Sequence, residues 1–104
     1  ADMILVGGAN VYPAEIEAAL EEHPLVQSCA VIGLPDDDLG NVVHAIVEAR
    51  PGLTVEKLKA HIAERLVVQK APRTYEFVDI PLRDDAGKVR RQQLRDERVK
   101  FSAG

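Results

Sequence analysis

Residues 26–49 have the sequence VQSCAVIGLPDDDLGNVVHAIVEA, and this stretch decides the fold. The run from Val26 to Leu34 is apolar and of strand length, and the run from Asn41 to Ala49 is rich in Val and Ile. Between them, residues 35–40 are polar, begin with proline and end with glycine, as a turn does. The sequence therefore predicts two strands that pair across this turn.

A helix is predicted on each side of this strand pair. The first begins at Pro13, which suits the first helical position, and carries acidic residues in its first turn that complement the helix dipole. It ends at His23-Pro24, because the residue before a proline disfavours helical backbone. The second helix follows Thr54, a good N-cap. The predicted core-facing positions, at helical spacing, are Ile16, Ala19 and Leu20 in the first helix and Val55, Leu58, Ile62 and Leu66 in the second.

Three further segments complete the predicted fold. Residues 3–12 hold two short strands around Gly7-Gly8 and predict a β-hairpin, and residues 75–79 alternate as a third strand of the sheet. Residues 84–88 form a polar turn before a short charged helix, expected to bury little beyond Val89 and Leu94 and to belong to a basic, mobile tail. We therefore expect one α+β domain over residues 1–104, with a small central sheet of about three strands packed by two main helices, an N-terminal β-hairpin and a C-terminal loop plus short helix.

Composition and charge disfavour several classes of protein. Of the 104 residues, 46% are hydrophobic and 29% are charged, which is typical of a globular domain and not of a disordered chain. The formal net charge of −4 argues against nucleic-acid binding, and no apolar run reaches the roughly 18 residues that span a bilayer. Cys29 is the single cysteine and lies in an apolar run, which predicts a buried thiol and a cytoplasmic protein.

The basic residues are concentrated in the last quarter of the chain. A solvated helix face and a docking site for an anionic ligand are equally compatible with this pattern. The residues are Arg83, Lys88, Arg90, Arg91, Arg95, Arg98 and Lys100.

No metal site is expected. His23, His44 and His61 lie on different predicted elements without a shared cysteine or carboxylate pattern, and we interpret them as a helix-end, a strand and a helix-surface histidine. The acidic run at 36–38 lacks the spacing of a calcium loop and is interpreted as a solvated turn.

Two short motifs have both a functional and a structural interpretation. Lys88 follows Gly87 in the polar turn, so a long cation suited to phosphate extends from a loop tip, although an exposed loop lysine is also a very common surface residue. Gly7-Gly8 either allows close approach of a ligand to the backbone or simply forms the hairpin turn. The residue types alone leave both questions open.

An ordered set of motifs resembles one family over essentially the whole chain. The opening is DMILVGGANVYPAEIE at residues 2–17, followed in family order by HP at 23–24, AVIGLPD at 30–36, KAPR at 70–73 and GKV at 87–89. Together these motifs resemble the C-terminal lid domain of adenylate-forming enzymes, particularly acyl-CoA synthetases, which are acid–CoA ligases.

The resemblance implies a two-step reaction in which ATP and a small-molecule carboxylic acid give an acyl-adenylate and pyrophosphate, and CoA then displaces AMP. Lys88, supported by Gly87, would reach into the active site during adenylation, and the lid would swing between the steps. Gly7 and Gly8 resemble the loop that lines the pantetheine tunnel. The segment from Lys70 to Arg73 resembles the surface that meets the CoA nucleotide.

The partner that the resemblance implies is a large N-terminal adenylation domain, which in such enzymes holds the ATP loop and the acid pocket, with Mg²⁺ accompanying ATP. The chain starts abruptly in strand-like residues, as if cut from that longer protein, and the family's hinge would fall at or just before Ala1. We therefore expect the 104-residue chain to have no ligase activity by itself.

The sequence departs from the family at two places. Relatives usually carry Thr-x-Thr-Gly-Lys where residues 84–88 are DDAGK, and many carry a basic residue where this chain has Ala71. Two other interpretations stay open: the equivalent subdomain of a carrier-protein-loading adenylation enzyme, and a stand-alone interaction module that shares the fold.

Overall fold

The computed structural model describes residues 2–103, with side chains as far as Lys100; Ala1, where the hinge was expected, lies outside the described residues. Its elements confirm the α+β prediction. In chain order they are β1 (Ile4–Val6), β2 (Ala9–Val11), α1 (Pro13–Glu21), β3 (Val26–Asp36), β4 (Gly40–Ala49), α2 (Val55–Ala63), a 3₁₀ turn (Val68–Lys70), β5 (Thr74–Val78) and α3 (Arg91–Ala103).

The three-stranded sheet has the order β3-β4-β5. The predicted pairing of the first two strands is confirmed as an antiparallel ladder, in which Val31 lies opposite Ala45. The third strand runs parallel to β4, with Ala45 opposite Tyr75, because α2 carries the chain back across the sheet between the two strands. The hairpin of β1 and β2 forms a separate two-stranded sheet.

Both faces of the central sheet are covered, which explains why β3 and β4 are almost continuously apolar instead of alternating. On one face, Val31 and Ala45 belong to a core shared with α1 and α2, including the fully buried Ile16, Leu20 and Leu58. On the other face, a smaller cluster forms from Ala30, Ile32, Ile46 and Leu82, and Val89 and Leu94 pack against it.

The C-terminal segment is the main correction to the predicted fold. It is a helix of 13 residues that packs on the second face of the sheet, and not a short helix in a mobile tail. Arg91 pairs with the buried carboxylate of Glu17, with 2.8 Å between Nε and Oε2. Arg95 Nε donates to the carbonyl oxygen of Gly33 at 3.0 Å, and Arg98 forms a two-point contact with Glu76 at 2.8 Å. These three arginines are therefore engaged by the protein's own acceptors.

The histidine interpretations hold for two of the three residues. His23 lies at the end of α1, and His44 lies on β4, where its ring contacts Thr74 and Glu76. The interpretation of His61 as a surface residue is wrong: its side chain is buried, and Nε2 lies 2.6 Å from the carbonyl oxygen of Ala19. Position 61 is three residues after Leu58 and so shares the face of α2 that packs on α1.

We expect Glu17→Ala to lower the free energy of unfolding by about 3 kcal/mol, because it leaves the guanidinium of Arg91 without its buried partner. Arg91 keeps a second contact with Asp2, which places the loss at the lower end of the range for broken buried pairs. Urea unfolding of the 104-residue chain measures the change.

Glu15→Ala on the same helix is the matched control for that variant. Glu15 pairs with Lys70, but both side chains are more than a third exposed, so its loss should cost less than about 1 kcal/mol. Equal losses for the two variants would contradict a special role for Glu17.

Candidate functional site

The loop that carries Lys88 is a tight turn closed by pairing of Arg83 with Val89. Gly87 has a φ of +78°, in the left-handed region that favours glycine, while a Cβ there would have no neighbour within 4 Å. Glycine is thus needed for the backbone conformation and not for space. Lys88 is exposed, and its ammonium has no hydrogen bond or ion pair with the main chain and side chains that the structure describes.

Asp84 forms the inside of this turn. Its Oδ1 accepts hydrogen bonds from the main-chain N–H groups of Ala86 and Lys88, both at 2.9 Å, and its Oδ2 accepts one from Arg90 Nε, also at 2.9 Å. The bond from the N–H of Lys88 is the largest cause that holds the pKa of Asp84 below its usual value, so the carboxylate is ionised at neutral pH. The neighbouring Asp85 is exposed.

Two glutamates of α1 hold the loop from outside. Arg83 precedes the turn and pairs with Glu21 at 3.0 Å, while Arg91 follows it and pairs with Glu17. Glu17 and Glu21 lie one helical turn apart and so face the same side of α1. The two ends of the Lys88 loop are therefore fixed to a single helix.

The tip of the N-terminal hairpin contains Gly7 and Gly8, with φ values of +54° and +86°. Positive φ at both central residues is what a type I′ hairpin turn requires, so the structural interpretation of this pair is correct. The N–H of Gly7 donates to the carbonyl oxygen of Leu39 at 2.8 Å, and a Cβ at position 7 would lie 3.1 Å from the Leu39 side chain. A Cβ at Gly8 would meet nothing within 4 Å, which leaves that backbone open to a ligand.

A groove of about 340 Å³ lies between this hairpin, the turn from β3 to β4, and the segment after α2. It brings together two of the predicted site residues, Gly7 and Arg73. The rest of its lining is mainly apolar: Val6, Ala9, Leu39, Val42, Val43 and Val68, with Ala71 and Gln69.

Of the two basic residues predicted at this surface, Lys70 and Arg73, only Arg73 has a charged group that the described structure leaves free to contact a ligand. Lys70 forms an ion pair with Glu15, with 3.0 Å between Nζ and Oε1. Arg73 is exposed and holds its place through its main-chain N–H, which donates to Val43 at 2.8 Å, while its guanidinium has no partner in the described part of the chain. Ala71, the departure from the family, is partly buried against the core.

The predicted residues form two separate sites at opposite ends of β3. At one end, the N–H of Leu82, just before the Lys88 loop, donates to Ser28 Oγ at 3.1 Å. At the other end, the hairpin tip contacts Leu39, beyond the last residue of the strand, Asp36. The eight residue steps from Ser28 to Asp36 extend over about 26 Å at the usual strand rise of about 3.3 Å per residue.

Sequence reasoning missed the role of Asp84 and the anchoring of the loop arginines to α1. The Asp84 contacts had a local signal, because an aspartate two to four residues before the N–H groups it caps is a common turn device. The α1 contacts had none, since Glu17 and Arg91 are 74 positions apart.

No group of three His, Cys, Asp or Glu residues within the described range 2–103 could hold a metal ion. Within the same range, no helix combines the length and apolar character needed to cross a bilayer.

Comparison with known proteins finds one family. The AMP-binding enzyme C-terminal domain matches residues 15–88. A fatty acid–[acyl-carrier-protein] ligase, ScoC, of Streptomyces coeruleorubidus is 46% identical over 97 residues, which are 91% of this chain and 19% of that protein. The long-chain-fatty-acid–CoA ligase of Escherichia coli O157:H7 is 42% identical over 97 residues, 92% of this chain and 17% of that protein.

Solved structures agree with these sequence relatives. A Mycobacterium tuberculosis fatty acyl CoA synthetase superposes with a TM-score of 0.87 at 37% identity, over 96% of this chain and 20% of that one. The anthranilate CoA ligase AuaEII, in complex with anthranoyl-AMP, has a TM-score of 0.87 at 34% identity, over 99% of this chain and 21% of that one. The chain thus spans about a fifth of its relatives' length, and it belongs to the AMP-binding enzyme C-terminal domain family.

Proposed function

We propose that this chain is the mobile C-terminal domain of an acid–CoA ligase, which converts ATP, a carboxylic acid and CoA to acyl-CoA, AMP and pyrophosphate. The observation that carries the proposal is that two features occur together in one small domain. One is the unpartnered Lys88 on an anchored loop, and the other is an apolar groove at the opposite end of β3. The partner is an N-terminal adenylation domain that binds the acid and ATP, with Mg²⁺ on the ATP. We place the enzyme in the cytoplasm, consistent with the unpaired Cys29, whose pKa burial raises to about 12.

In the first step, a carboxylate oxygen of the acid bonds to the α-phosphorus of ATP, and the bond from that phosphorus to the pyrophosphate oxygen breaks. Negative charge accumulates between the carboxylate and the α-phosphate. The ammonium of Lys88 stabilises it, and its effect grows when water is excluded by the partner domain. An ammonium that is already paired within its own domain would first have to lose that partner, and Lys88 has none among the described residues.

In the second step, the thiol sulfur of CoA bonds to the acyl carbon, the thiol proton is lost, and AMP leaves with the oxygen of the former mixed anhydride. The groove beside Gly7 suits the uncharged, slender pantetheine arm, because its lining is mainly apolar. Arg73 stands at its rim with an unpartnered guanidinium in the described chain, and a guanidinium suits phosphate.

The distance between the two sites supports a domain that moves between two positions. About 26 Å separates the ends of β3 to which they are attached, so a single catalytic centre cannot contact both at once. A rotation of the domain as a rigid body would exchange one site for the other, which is a common way to use two surfaces at one centre.

A carrier-protein-loading enzyme is the second candidate function. The Streptomyces relative, at 46% identity, is a fatty acid–[acyl-carrier-protein] ligase, so this family includes that acceptor. Carrier proteins present the same pantetheine arm without the CoA nucleotide. The groove would serve either acceptor, whereas a contact between Arg73 and the CoA nucleotide would serve CoA alone.

We expect Lys88→Ala in the full-length enzyme to reduce acid-dependent pyrophosphate release on the order of 10²-fold or more, because the substitution removes a preorganised cation from the transition state. Thioester formation from a supplied acyl-adenylate should keep its rate. Lys59→Ala, at an exposed position of α2, is the control. Unchanged adenylation in Lys88→Ala would refute the role and favour an interaction module.

We expect Arg73→Ala to raise the KM for CoA about tenfold, which corresponds to the loss of one charged hydrogen bond of about 1.4 kcal/mol. Adenylation should be unaffected. The same variant tested with phosphopantetheinylated carrier protein distinguishes the two acceptors. Loss of activity with carrier protein and no change with CoA would overturn the assignment to CoA.

We expect the 104-residue chain by itself to form no CoA thioester from ATP, CoA and a panel of fatty and aromatic acids, since the proposed acid and ATP pockets belong to the partner domain. Mass spectrometry of the reaction would detect the product. Any thioester that depends on both the chain and ATP would contradict this division of roles.

A further inference from the structure

A catalytic lysine on an exposed loop poses a positioning problem. Electrostatic catalysis requires the ammonium to lie within roughly 0.5 Å of its productive position. The flexible four-carbon stem of lysine by itself allows many positions. The main chain at Lys88 must therefore be fixed before the side chain can be placed. Groups of this chain that bond the loop would fix it before the partner domain docks, while the loop is still exposed.

Asp84 bonds both polar groups of the Lys88 main chain. Its carboxylate accepts from the Lys88 N–H, and its own N–H donates to the Lys88 carbonyl oxygen, each at 2.9 Å. Its carbonyl oxygen also accepts from the N–H of Gly87 at 2.8 Å, and Oδ1 accepts from Ala86. Arg83 Nη1 donates to a further acceptor of the turn, the carbonyl oxygen of Gly87, at 2.8 Å. Asp84 thus makes most of the bonds that set the course of the chain from position 84 to position 88.

The same contacts explain why a carboxylate so close to Lys88 does not occupy its ammonium. Oδ1 receives two N–H groups, and Oδ2 receives Arg90 Nε. No ion pair joins Asp84 to the Lys88 ammonium in the described structure. Hydrogen bonds to an ionised carboxylate are roughly twice as strong as neutral ones, so the turn is held firmly while the side chain of Lys88 stays available.

We propose that Asp84 is a positioning residue for Lys88: it fixes the main chain of the loop through its carboxylate and so aims the lysine during adenylation. The proposal rests on the proposed function of Lys88. Ala86 and Gly87, the two residues just before Lys88, carry no polar side-chain group that could hold the turn. Asp85, which is exposed, has no part in it.

The test uses the full-length enzyme and the two half-reactions, acid-dependent pyrophosphate release and thioester formation from a supplied acyl-adenylate. Asp84→Ala should slow the first by about tenfold or more, since a misplacement of about 1 Å can cost up to 10²-fold, and should leave the second unchanged. Asp84→Asn retains a side-chain oxygen that can accept from Ala86 and Lys88, so it should recover most of the rate. Asp85→Ala is the matched control and should match wild type in both.

A double variant separates positioning from a purely structural role. If Asp84 acts through Lys88, adding Asp84→Ala to Lys88→Ala should not slow adenylation further. A further loss, or equal losses in both half-reactions, would overturn the proposal. The proposal would also be overturned if Asp84→Ala kept the wild-type rate of adenylation while Lys88→Ala lost adenylation. Wild-type adenylation in Lys88→Ala would instead refute the proposed function itself, so the two failures are distinguishable.

Discussion

The carboxylate of Glu17 ties three elements of the domain together. It is buried, with 3% of the residue exposed, and a buried carboxylate is stable only when its charge is paired and its lone pairs are filled. Its Oε2 accepts from the main-chain N–H of Val31 at 2.9 Å and from Arg91 Nε at 2.8 Å, and Oε1 accepts from a second nitrogen of Arg91. The bond with Glu17 is the largest cause that raises the pKa of Arg91 above its ordinary value. Helix α1, strand β3 and the start of α3 therefore share one contact point.

This contact determines where Lys88 lies, because Arg91 is only three residues further along the chain. With Arg91 fixed to Glu17 and Arg83 fixed to Glu21, the loop between them spans two points on a single helix. The internal bonds of Asp84 then leave that loop few conformations. Long-range ion pairs thus set the position of the loop, and short-range hydrogen bonds set its shape.

The sequence predicted the parts of the fold that depend on neighbours along the chain. The strand pair at 26–49, both main helices, the N-terminal hairpin and the N-cap at Thr54, whose hydroxyl accepts from Lys57, all follow from local periodicity and turn chemistry. The role of α3 was not predictable in this way. The residues of α3 are mostly polar, so the helix shows no clear apolar face. It is held on the sheet by arginines whose acceptors, at Glu17, Gly33 and Glu76, lie 22 to 74 positions away. The burial of His61 did have a local signal, since position 61 lies three residues after Leu58, but its partner, the main chain of Ala19 in another helix, had none. At the candidate sites, motif resemblance selected the residues, but it could not indicate that Lys70 is paired or that Gly7 and Arg73 share a groove.

The pairing pattern around the Lys88 loop also changes how its charge should be assessed. Residues 83–91 contain four basic and two acidic residues, which by composition suggests a general anion-binding surface. In the structure, Arg83, Arg90 and Arg91 each face a carboxylate within 3.0 Å. Their charges are therefore largely cancelled at distances beyond a few ångströms, and the field that a ligand meets is dominated by the unpartnered groups. Lys88 is the basic member of the loop that the described structure leaves without an acidic partner. Under the proposed function, a cation that acts on one developing charge benefits from neighbours that are already neutralised, because a broad positive surface would bind ATP and pyrophosphate alike without favouring the transition state between them.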